Sequence, residues 1–65
     1  MTDRETRAKA IAAQFSKAGA SAKGDVVRFG MAKNLSNPEV HYPAAAFDAM
    51  TDEAVAADLR AAWNA

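Results

Sequence analysis

The sequence has 65 residues, with eight basic and eight acidic side chains, one histidine and no cysteine. A chain this short buries only about 60% of its unfolded surface, and its core is worth no more than about 3–5 kcal/mol. Disulfides and thiolate metal sites are excluded by composition, and one histidine builds no zinc site of the usual kind, so no cofactor or metal is expected.

The N-terminal segment reads as a helix over about residues 3–18. Thr2 and Glu5 have the spacing of a capping box, in which each side chain satisfies an orphan backbone donor of the first turn. Ala8, Ile11, Ala12, Phe15 and Ala18 then recur at helical spacing and form one narrow apolar stripe. Gly19 is the natural stop, because glycine readily takes the left-handed conformation that ends helices. Residues 20–24 follow as a short connection of small residues.

The architecture turns on the next stretch, Gly24 to Met31 (GDVVRFGM), which holds the one adjacent β-branched pair of the chain. As a strand it places Val27, Phe29 and Met31 on one face and Val26, Arg28 and Gly30 on the other. Its partner is then Glu39 to Tyr42 (EVHY), with Lys33 to Pro38 as the connecting loop. As a helix capped by Ser21, it aligns Val27, Met31 and Leu35. Two internal glycines, each costing about 1 kcal/mol relative to alanine, and the Val-Val pair favour the strand.

Beyond it, Pro43 suits a first helical position, and Ala44 to Met50 reads as a short helix carrying Phe47 and Met50. Thr51 has the character of a new N-cap, with Asp52 and Glu53 complementing the positive end of the helix dipole. Val55, Leu59, Ala62 and Trp63 make the apolar stripe of the last helix, and the two segments also read as one helix kinked near Thr51. The expectation is a small single α+β domain over residues 1–65: an N-terminal helix, a two-stranded hairpin, and one kinked or two short C-terminal helices. The alternative is an all-α three-helix domain.

The zero net charge hides an asymmetry. Residues 1–33 carry seven basic against three acidic side chains, a balance of +4, whereas residues 34–65 carry one against five, a balance of −4. Such halves attract each other within one chain, across a dimer, or onto an oppositely charged partner. No apolar run approaches a membrane span, and MTDRETRAK lacks the apolar region of a signal peptide, so a soluble, cytoplasmic protein is expected.

For catalysis, His41 beside Glu39 is the one conventional proton-transfer candidate, and the sequence shows no partner nucleophile, phosphate loop or HExxH pattern. An enzyme is not expected. The expected function is a non-catalytic protein-binding module, a small adaptor or inhibitor that occupies another protein's surface. Its contact residues are Tyr42, Phe47, Met50 and Trp63, with Asp48, Asp52 and Asp58 as the rim, since aromatics and methionine are enriched at interface centres. The alternative is a small dimeric nucleic-acid-binding regulator that uses Arg4, Arg7, Lys17, Lys23, Arg28 and Lys33 against phosphates. A helix-turn-helix frame on KAGASAKGDVVR fits poorly, because a buried hydrophobic position falls on Asp25; a ribbon-helix-helix arrangement remains open.

Overall fold

The computed structural model describes residues 3–32 and 37–64. The first helix, α1 (Arg4–Ala12), is capped by Asp3, whose side chain accepts a hydrogen bond from the Thr6 amide at 2.7 Å. That bond holds the Asp3 carboxyl below its usual range. Asp3 therefore takes the N-cap role assigned above to Thr2, which lies outside the described residues; its negative charge also suits the helix N-terminus.

The helix is shorter than its alanine content implies. After Ala12 the chain tightens, with the Gln14 and Phe15 amides bonding the Ile11 and Ala12 carbonyls, and residues 18–23 leave helical geometry altogether. They form β1 (Ala18–Lys23), so Gly19 sits within a strand rather than ending a helix. Strand β2 (Val26–Met31) follows after a two-residue turn, and β3 (Glu39–Pro43) completes an antiparallel sheet in the order β1-β2-β3. The fold is α+β as expected, but the sheet has three strands, not two. The extra strand is AGASAK, which has low intrinsic strand preference; pairing along all six residues with β2 outweighs it.

Gly24 makes the β1–β2 turn possible. Lys23 pairs with Val26, leaving Gly24 and Asp25 as the loop, and Gly24 sits at φ 61°, which glycine adopts without Cβ strain. The Asp25 carbonyl also accepts the Ala44 amide at 2.7 Å, which ties this turn to the start of the next helix.

Two helices follow β3. Pro43 is the last strand residue and N-cap of α2 (Ala44–Ala49), one position before the first-turn place expected for it. Thr51 caps α3 (Asp52–Asn64) as its sequence context predicts, its hydroxyl accepting the Ala54 amide at 3.1 Å. The chain breaks between the two helices, and α3 is the long one.

All three helices lie on one face of the sheet. Val27, Phe29 and Met31 alternate inward along β2 and are buried with Ala8, Ile11 and Ala12 of α1, Phe47 of α2, and Val55, Ala56 and Leu59 of α3. Phe29, Tyr42 and Phe47 form an aromatic group with ring centroids 6.0–6.3 Å apart. Helix α1 packs chiefly on β1, whose inward residues are Ala18, Ala20 and Ala22; small side chains on both surfaces leave little bulk between them.

Candidate functional site

The opposite charges of the two halves meet inside the chain. Arg4 donates through Nε and Nη2 to both carboxylate oxygens of Asp48, at 2.9 and 2.5 Å, and each partner favours the other's charged form. Arg7 reaches further in. Its Nε donates to Asp52 at 2.7 Å, its Nη1 and Nη2 donate to the Phe47 and Met50 carbonyls at 2.9 and 2.5 Å, and its guanidinium lies 4.2 Å from the centroid of the Phe47 ring. One arginine thus closes the C-terminal end of α2, meets the first residue of α3 and anchors α1 to both. Lys9 and Glu5 pair along α1 at 3.4 Å.

These contacts redistribute the expected binding residues. Phe47 is fully buried and can touch no partner. The Tyr42 hydroxyl donates to Asp58 at 2.7 Å, and partial burial, with that bond, pushes the phenol well above its ordinary range. Asp48, Asp52 and Asp58 each hold an internal partner, so the proposed acidic rim is part of the fold's own stitching. Met50 and Trp63 remain half-buried at the edge of the core. Among the basic residues, Arg4 and Arg7 are committed internally for the same reason, and Lys33 lies outside the described residues. Lys17, Lys23 and Arg28 are exposed.

The helix-free face of the sheet carries two of these, Lys23 and Arg28. Strand register sets its outward residues in a grid of three rows: Gly19, Gly30 and Glu39; Ser21, Arg28 and His41; Lys23, Val26 and Pro43. A shallow depression of about 360 Å³ lies over Gly19, Ala20, Ser21, Arg28, Gly30 and Glu39. Arg28 has one long contact to Glu39, Nη1 to Oε1 at 3.4 Å, with more than half of each side chain in solvent. His41 Nδ1 lies 4.0 Å from the same oxygen. Ser21 and His41 share a row but have β2 between them, about 9–10 Å from the usual strand spacing, too far apart for a nucleophile–base pair.

A second concavity, about 310 Å³, lies where the end of α1, the end of β2 and the end of α3 converge. Phe15, Met31 and Trp63 form its apolar part, with Gln14, Ser16 and Lys17 around them.

Sequence reasoning missed Ser21, Gly19 and Gly30 as outward-facing neighbours of Arg28 because AGASAK was taken as a connection. The signal was present in Lys23-Gly24-Asp25-Val26, a two-residue Gly-Asp turn between two extended six-residue segments. Among the described residues no three His, Asp or Glu side chains converge as a metal site would require, and no helix is long and apolar enough to cross a membrane. Compared with protein-family models, curated proteins and solved structures, the chain has no match.

Proposed function

We propose that the protein is a small non-catalytic module that binds nucleic acid through the open face of its sheet. The reading rests on one observation: when the ion pairs that hold the fold are set aside, Lys17, Lys23, Arg60 and the weakly paired Arg28 remain among the described residues, and two of them, Lys23 and Arg28, stand together on the helix-free face with Ser21 and His41. An exposed, unspent cation loses little by meeting a phosphate and releases the counterions of the nucleic acid as it does so. Three acidic residues of the second half, Asp48, Asp52 and Asp58, are by contrast engaged away from that face by Arg4, Arg7 and Tyr42, which leaves Glu39 as the carboxylate on it.

The footprint is small, so the expected binding is weak and its salt slope shallow, on the order of −2 to −3 for two or three neutralised phosphates. Fluorescence anisotropy of a labelled duplex across a salt series measures it. Lys23→Ala and Arg28→Ala should each weaken binding and flatten the slope. A duplex that stays unbound at low salt removes this reading.

The cleft of Phe15, Met31 and Trp63 supports a second reading, a protein-binding module that receives an apolar side chain of a partner. Met50, half-buried at the edge of the core, would extend such a surface. A Trp63→Ala variant that stays folded by circular dichroism and loses a partner would favour it.

A further inference from the structure

Two of the nine outward positions of the sheet are glycines, Gly19 and Gly30, and they face each other directly across β1 and β2. The fold gives no reason for glycine at either. Neither is at positive φ, and a Cβ built on either meets no atom within 4 Å. Glycine inside a strand weakens it, and where packing does not demand it, it marks a place where another group approaches the backbone closely. The bare patch lies in the depression that Ser21, Arg28 and Glu39 also line.

Charge points to what approaches. Arg28 extends from β2 onto this patch, and the group now nearest its guanidinium is an anion, the Glu39 carboxylate, in a long, single-point, half-exposed contact. Two parallel hydrogen bonds to one oxyanion are what a guanidinium fork is built for, and this contact makes only one. On the same face, Val26, Pro43 and His41 offer no broad aromatic platform on which an unpaired base would stack. The chemistry therefore favours the sugar-phosphate backbone of a duplex over exposed bases.

We infer that the depression over Gly19 and Gly30 is a phosphate seat for a duplex backbone, gripped by Arg28 and Ser21, and that Glu39 occupies Arg28 until the phosphate displaces it. The inference rests on the reading of the open face as a nucleic-acid surface and adds the contact atoms and an internal competitor. The glycines let the phosphate settle against the strands. Ser21 supplies a hydroxyl donor from the neighbouring strand, directly opposite Arg28.

Anisotropy of a labelled duplex, with a single strand of the same sequence as a second probe, tests the seat. Gly19→Thr and Gly30→Thr fill the depression with a good strand former; each should keep or raise the thermal midpoint while weakening duplex binding about tenfold, the worth of one charge-assisted contact. Glu39→Gln should tighten binding by about threefold to tenfold, because Arg28 is released. Glu53→Gln, the same charge change on α3, should leave binding unmoved. Wild-type protein that binds no duplex would sink the nucleic-acid reading itself. Binding that is lost in Arg28→Ala yet unmoved in both threonine variants would overturn the seat alone. Equal tightening by Glu39→Gln and Glu53→Gln would overturn the competitor, and equal affinity for the single strand would overturn the duplex assignment.

Discussion

Arg7→Ala should be among the costliest single changes outside the apolar core. The side chain is about three-quarters buried and makes two charge-assisted hydrogen bonds to the Phe47 and Met50 carbonyls. At the low end such bonds are worth about 1.5 kcal/mol each, and the substitution also leaves part-buried carbonyls without a donor. The cation over the Phe47 ring adds about 0.5–1 kcal/mol, and the more exposed Asp52 contact adds less. The loss sums to about 3–4 kcal/mol, close to the whole stability available to a chain of this length. Urea unfolding followed by far-ultraviolet circular dichroism is the assay. With a denaturant slope near 1 kcal/mol per molar for so small a domain, the midpoint should fall by about 3 M, leaving the variant largely unfolded in buffer. Arg7→Lys keeps the charge but not the planar fork and should fall between. Arg4→Ala removes only an exposed pair and should cost far less, despite its two bonds to Asp48. An Arg7→Ala midpoint within about 0.5 M of wild type, or equal losses at Arg4 and Arg7, would refute this account of how the helices are held.

Three further outcomes follow from the same contacts. Phe47→Ala should lose about 3–5 kcal/mol and abolish the cooperative unfolding transition, so any binding lost in that variant reports on the fold and not on an interface. Gly24→Ala should destabilise by about 1–2 kcal/mol, because its φ of 61° is a left-handed conformation that alanine adopts poorly; an unchanged midpoint would contradict the turn. Tyr42 has a phenol pushed upward by burial and by its bond to Asp58. Its contribution is complete below the ordinary tyrosine value of about 10 and declines as pH rises above it, so stability should fall on the alkaline side. Tyr42→Phe should flatten that alkaline decline, as read from urea midpoints at stepped pH; a decline of undiminished size would refute the role given to the hydroxyl.

What the sequence revealed and what it hid divide along physical lines. Strand β2 was legible because Val26 and Val27, the alternation through Met31 and the two glycines all disfavour a helix. The caps of α3 were legible because Thr51, Asp52 and Glu53 act within one turn of themselves. Strand β1 was not, because alanine, glycine and serine carry no strand preference and the segment is held by pairing with residues up to thirteen positions away. The fate of the charges was hidden for the same reason. Arg4 and Arg7 meet Asp48 and Asp52 across more than forty residues, so the +4 and −4 halves showed that an attraction existed but not that it closes within one chain. Phe47 shows the same limit from the apolar side. Its type fits an interface centre and a core equally, and only the packing of Phe29, Tyr42 and Arg7 around it decides for the core.

The central claim is that Arg4 and Arg7 are spent on the fold, whereas Lys23 and Arg28 stand on the open sheet face and meet the nucleic acid there. An amide chemical-shift titration of the labelled protein with a short duplex at low salt tests it most directly. The account predicts shifts concentrated at Gly19, Ser21, Lys23, Arg28, Gly30, Glu39 and His41, with α1 left unmoved. Shifts centred on Arg4 and Arg7, or on Phe15, Met31 and Trp63, would contradict it.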